Sequence, residues 1–111
     1  MTRICDDIAE EMIFRDEFGV TVYAGKNGRN YLVKGLNGFE TEVLFQNGDA
    51  KTIGINGLTN EALLAMVKDR LIKLDDFLPC VENNTAINAI EMALLALDAR
   101  MYRRNLMNSQ K

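Results

Sequence analysis

The sequence predicts an α+β fold: a short N-terminal helix and a small antiparallel β-meander, followed by a C-terminal antiparallel two-helix hairpin. Between residues 20 and 57 the chain runs in short apolar stretches cut by four Asn-Gly pairs, at 27–28, 37–38, 47–48 and 56–57. Both residue types tolerate positive φ, so Asn-Gly is the strongest short hairpin signal. From residue 59 onward the apolar period becomes helical, and it is interrupted once, around Pro79.

The elements follow in order. Ile4, Ile8 and Met12 recur at i, i+4, i+8 with acidic residues opposite, which predicts an amphipathic helix over roughly residues 3–15. Val20–Ala24, Tyr31–Lys34, Glu40–Gln46 and Lys51–Ile55 read as strands, with alternating apolar and polar residues and turn residues between them. Thr59 or Asn60 is a helix cap, and Glu61 suits the positive end of the helix dipole. Leu63, Val67, Leu71 and Leu74 form one stripe, widened by Leu64, and Asp75, Asp76 and Pro79 are expected to end that helix. A second helix is expected from Asn83-Asn84 to about Asn105, with the seam Ile87, Ile90, Leu94, Leu97 and Met101. Residues 1–57 would hold the N-terminal helix and strands, and residues 58–111 the hairpin as one compact unit. A two-helix hairpin has a one-sided core, which needs the sheet or another copy of itself as cover.

Composition excludes several chemistries. The 111 residues contain no His and no Trp, and Ser109 is the single Ser. Imidazole catalysis, His metal ligation and a Ser–His nucleophile are therefore ruled out. Cys5 and Cys80 are too few for a zinc site, which takes about four ligands, and too few for a secreted disulfide framework, so a reducing, cytosolic setting is expected. No apolar run reaches the ~20 residues of a membrane span, and the first residues are acidic where a signal peptide would be basic. Neither metal nor cofactor is expected.

The net charge of −3 argues against a general nucleic-acid coat. Residues 1–17 carry −4 and residues 100–111 carry +4. Arg100, Arg103 and Arg104 lie at i, i+3, i+4 and share one helix face. They either complement the helix dipole as a solvated cationic end or capture a small anion, since guanidinium groups bind phosphate oxygens in pairs. Asn83 and Asn84 are caps or readers of a base or ribose edge. Phe77 packs under its loop or stacks on a base. Asp75, Asp76 and Glu82 read as a solvated turn, and Lys26 to Arg29 as a basic hairpin tip without the glycine-rich loop of a phosphate cradle. Cys80, beside Pro79 and without a visible base, reads as structural.

The runs Phe45-Gln46-Asn47-Gly48, Ile53-Gly54-Ile55-Asn56-Gly57-Leu58-Thr59-Asn60-Glu61-Ala62-Leu63-Leu64-Ala65 and Asp69-Arg70-Leu71 resemble a family of small phage and prophage proteins, the Thoeris anti-defence sponges. Cys80-Val81-Glu82-Asn83 and Ala93-Leu94-Leu95-Ala96-Leu97-Asp98-Ala99-Arg100 are similar to the family hairpin, often written Cys-Arg-Glu-Asn followed by Ala-Leu-Leu-x-Leu-x-x-Arg, which anti-CBASS sponges share. The likeness covers about residues 43–105, over half of the chain, and strands ahead of the hairpin resemble the Thoeris type. It implies a protein that is not an enzyme. Such proteins bind cyclic immune signals, glycocyclic ADP-ribose isomers in the Thoeris type and cyclic di- or trinucleotides in relatives, and hold them intact. They act in the cytoplasm of the infected bacterium as homo-oligomers, dimers or hexamers. Asn83 and Arg100 match the family hairpin residue for residue. Leu74 falls where the family often has Phe, Phe77 lies near a second aromatic position, Val81 replaces a common Arg, and the inter-helix loop is slightly shorter than usual. Arg103, Arg104, Lys51 and Arg29 are further candidates for the phosphates.

Geometry adds a constraint. Asn83 and Arg100 stand 17 positions apart on one predicted helix, about 25 Å at ~1.5 Å per residue. A cyclic ADP-ribose is far smaller, so both can touch one ligand only if they come from two chains. The expectation is a pocket between antiparallel protomers, repeated by two-fold symmetry. The alternatives are an oligomerisation or regulatory module without a ligand, an enzyme that cleaves the signal, and a nucleic-acid binder with steep salt dependence.

Overall fold

The computed structural model describes residues 11–109. Its contacts divide the chain into two compact units, with the boundary between Thr59 and Asn60.

The N-terminal unit is built on a four-stranded antiparallel meander in sequential order. The strands are β1 (Glu11–Arg15), β2 (Thr21–Ala24), β3 (Asn30–Lys34) and β4 (Glu40–Leu44). The first strand corrects the sequence reading: residues 11–15 are not the end of a helix, and the expected helical residues 3–10 lie outside the described residues. Met12, Ile13 and Phe14 make a continuous apolar run that suits a strand, and its pairing with β2 overrides the helical spacing. The register breaks between Met12 and Phe14, a bulge that leaves Ile13 without a cross-strand partner.

Two of the Asn-Gly pairs make hairpins. Gly28 and Gly38 have φ of 72° and 91°, while no described non-glycine residue has positive φ. Gly28 N donates to Gly25 O, and Gly38 N to Gly35 O. Each is thus a turn closed by a left-handed glycine, rather than a pair of left-handed residues. The β1–β2 turn uses a different device: Asp16 Oδ1 accepts from Phe18 N and Val20 N, at 2.9 and 3.0 Å.

Across the sheet, Tyr23, Leu32 and Glu42 pair in one row, with Lys34 on the same face, its Nζ 5.6 Å from the Tyr23 ring centre. On the opposite face Tyr31 and Phe45 meet edge to face at 5.6 Å. Among the described residues Leu32 is the one apolar side chain fully withdrawn from solvent. Asn30, two positions earlier on its face, is equally buried, and neither amide atom finds a hydrogen-bond partner.

The other two Asn-Gly pairs bracket a loop, not a strand. The predicted strand Lys51–Ile55 is replaced by a single helical turn, α1 (Ala50–Ile53). Asp49 explains the difference: its carboxylate accepts from Lys51 N at 3.0 Å and Thr52 Oγ1 at 3.0 Å, a cap that outweighs the β-branched residues. Asn56 then closes the loop. Its Oδ1 accepts from Asn47 N and its Nδ2 donates to Asn47 O, at 2.8 and 2.9 Å. Phe45 and Leu58 form a parallel bridge that seals the base.

The C-terminal unit is a hairpin of α2 (Asn60–Phe77) and α3 (Val81–Ser109). Both helices run further toward the loop than the sequence suggested. Leu78 N still donates to Leu74 O, so Asp75 and Asp76 sit inside the last turn of α2, and Pro79 ends it. Asn83 and Asn84 lie in the first turn of α3 and are not its caps. Leu63, Leu64, Leu71, Ile87, Ile90, Leu94 and Leu97 are half-buried, and no residue of α2 is fully buried. The exposed remainder includes Met92 (68%), Leu95 (66%) and Tyr102 (66%).

Candidate functional site

The candidate residues of the hairpin fall at its two ends. At the loop end, Pro79 and the two helix termini hold the chain in a tight corner. Asp75 Oδ1 accepts from Cys80 N at 3.1 Å and from Asn83 Nδ2 at 3.4 Å, and Asn83 Nδ2 also faces Leu78 O at 3.5 Å. The carboxylate thus sits against the positive end of α3, where it satisfies a backbone N–H that the helix itself cannot. Asn83 is half-buried and oriented through its NH2 group, and its amide oxygen makes no hydrogen bond among the described residues. At the same end of the hairpin Phe77 (88%), Leu78 (73%), Val81 (75%) and Leu74 (43%) are exposed. Apolar side chains at that exposure are lost hydrophobic stabilisation unless something covers them.

At the other end, Arg100, Arg103 and Arg104 are all exposed. The ion pair of Lys68 with Glu91, at 3.3 Å, shows the register of the two antiparallel helices. With that register α3 runs past the first residue of α2, and the arginines occupy the overhanging part. Asn83 and Arg100 belong to one continuous helix, and the ~25 Å between their positions stands. The hairpin therefore does not bring them together within one chain. Between the helices Lys68, Glu91, Leu94, Leu95 and Asp98 line a shallow groove of about 330 Å³.

Lys51 and Arg29 lie in the N-terminal unit. Lys51 is exposed on α1, with its backbone N–H on the Asp49 cap. Arg29 is half-buried and already engaged: Nε donates to Phe45 O at 3.2 Å and Nη2 to Asn56 O at 3.4 Å. It ties the second hairpin to the base of the α1 loop.

Sequence reasoning missed Asp75 as a partner of Asn83, having taken it for a helix breaker. The available signal was an acidic residue one turn before a proline and eight positions ahead of an Asn, a spacing that a tight helix–Pro–helix corner folds together. Among the described residues no three Cys, Asp or Glu side chains are grouped as metal ligands, and no described helix is long and apolar enough to cross a membrane.

Residues 40–102 match the family of the Acb2/Tad1 hairpin domain. The match runs from β4 through Tyr102 and includes Lys51, Leu74, Phe77, Asn83 and Arg100, while Arg29, Arg103 and Arg104 fall outside it. A curated relative, Thoeris anti-defense 1 of Bacillus phage SBSphiJ7, is 39% identical over 82 residues, which cover 72% of this chain and 57% of that protein. The chain thus spans little over half the length of that relative.

Proposed function

The chain belongs to the family of the Acb2/Tad1 hairpin domain, and on that premise we propose that it is a phage anti-defence protein that captures a small cyclic signal of the ADP-ribose type and holds it unaltered. Related cyclic di- or trinucleotides are further ligands within this reading. Asn83 and the loop aromatic Phe77 of one protomer, with Leu74 beside them, take the base and ribose. Arg100 of an antiparallel mate takes the phosphates, aided by Arg103 and Arg104. The protein does no chemistry on the ligand: tight binding alone keeps the signal from its effector.

One observation carries this reading. Asn83 and Arg100 stand 17 positions apart on one helix, so a ligand shorter than ~25 Å can meet both only across a seam between two chains. Charge supports an antiparallel seam. Asp75, Asp76 and Glu82 make the loop end acidic, and the three arginines make the far end basic, so a reversed mate sets unlike charges together. The exposed Phe77, Leu78, Val81, Met92, Leu95 and Tyr102 provide apolar surface for such a seam.

The test has two parts. Thermal melting with and without cyclic ADP-ribose isomers should show a ligand-dependent rise, because a ligand of the folded state stabilises it. Ligand incubated with the protein and released by heat should then return intact. No melting shift with any cyclic nucleotide points to a module without a ligand, and a chemically changed ligand points to an enzyme. Either result overturns the proposal.

A further inference from the structure

The four Asn-Gly pairs differ in what their reacting atoms touch, and that difference singles out one of them. An Asn followed by Gly can modify itself. The backbone nitrogen of the glycine, on losing its proton, attacks Cγ of the asparagine. A C–N bond forms, the side-chain nitrogen leaves as ammonia, and a five-membered imide results. Water then opens the imide at either carbonyl, leaving aspartate or isoaspartate. Nothing is oxidised or reduced, and water is the one co-reactant. Glycine favours the attack because no Cβ crowds the nitrogen.

In the folded chain three pairs are restrained. Asn27 Oδ1 accepts from Arg29 N at 3.1 Å, while the attacking nitrogen of Gly28 donates to Gly25 O. Asn37 Oδ1 accepts from Phe39 N at 3.2 Å, while Gly38 N donates to Gly35 O. Asn56 has its side-chain oxygen and nitrogen both bonded to the Asn47 backbone, at 2.8 and 2.9 Å. The Cα of Gly57 also packs tightly on the Phe45 carbonyl, where an added Cβ would lie 2.6 Å from the oxygen.

Asn47-Gly48 is the exception. Asn47 is exposed. Its backbone N–H and C=O are pinned by Asn56, but its own amide group makes no hydrogen bond, and Gly48 N donates none, among the described residues. Electrophile and nucleophile are adjacent and both are unengaged. We propose that Asn47 is the preferred site of spontaneous imide formation and deamidation in this protein. The product places a new carboxylate beside the α1 turn, four residues from Lys51. In its isoaspartyl form it also reroutes the main chain at the residue that Asn56 clamps.

The experiment is peptide mapping of the intact full chain during incubation at mildly alkaline pH, with fragment ions assigning each Asn-Gly pair. Conversion at Asn47 should lead, and should exceed that at Asn56 by on the order of tenfold, since two hydrogen bonds must break before Asn56 can react. The same chain in urea should lose this spread, because the restraints belong to the fold. Asn47→Gln keeps both main-chain bonds to Asn56, yet places its amide one carbon too far for a five-membered ring, so conversion at position 47 should cease. Equal or faster conversion at Asn27, Asn37 or Asn56 in the folded chain would overturn the assignment. So would an unchanged spread in urea, which would trace it to neighbouring sequence instead.

Discussion

Asp75 and Asn83 hold each other across the corner of the helical hairpin, with the Asn83 amide nitrogen 3.4 Å from the Asp75 carboxylate that also accepts from Cys80 N. One side chain thus joins the end of α2 to the start of α3 and engages the NH2 group of Asn83. Asp75→Ala should lower stability by about 1 kcal/mol, the usual size of a lost helix cap. Asp75→Asn keeps one oxygen in place and should lose less. Urea unfolding of the three proteins measures the order, and equal midpoints for all three would show that the link contributes nothing.

Arg100→Ala should weaken capture of a cyclic ADP-ribose by roughly ten- to hundredfold, the effect of leaving a phosphate without its charged partner. Calorimetric titration reads the affinity directly. Wild-type affinity in the variant would remove Arg100 from the site.

Leu95 is 66% exposed on α3 and faces the groove beside Glu91 and Asp98. If hairpins pair through their exposed apolar face, Leu95→Glu should shift the particle mass toward a single chain, because a charge would then be buried without a partner. Light scattering at several concentrations distinguishes the cases. A wild-type protein that is already a monomer would contradict the pairing itself.

Arg29 donates to two carbonyls that belong to the frame of the α1 loop. Arg29→Ala should therefore reduce the melting temperature, by an amount equivalent to about 1 kcal/mol. An unaltered melting curve would leave the guanidinium free for anions and deny it the structural duty.

Asn30 buries an amide with no partner for either polar atom. Its replacement by Val removes that unmet demand at a strand position that favours β-branched residues. Asn30→Val should raise the melting temperature by several degrees, on the scale of ~1 kcal/mol in a domain of this size. A lower temperature would mean that packing around the amide outweighs its unpaired bonds.

Periodicity and turn chemistry, which are local, were sufficient for much of this molecule. The order of strands then helices, the hairpins at Asn27-Gly28 and Asn37-Gly38, the interhelical corner at Pro79 and the distance between Asn83 and Arg100 all follow from residue spacing, because a helix has a fixed rise and a left-handed turn a short menu of residues. The family likeness was equally legible, in strings such as Asn60-Glu61-Ala62-Leu63-Leu64 and Ala93-Leu94-Leu95. What tertiary structure decided were the choices in which a partner distant in sequence outweighs local preference. Residues 11–15 became a strand because β2 offers a row of main-chain donors and acceptors. Asp75 became a link because the corner folds Cys80 and Asn83 back onto it. Arg29 became a tie because the Phe45 and Asn56 carbonyls lie within its reach. Spacing along the chain dictates which side chains share a face; only the folded chain dictates which polar atoms find one another, since hydrogen bonds act over about 3 Å and are blind to sequence distance.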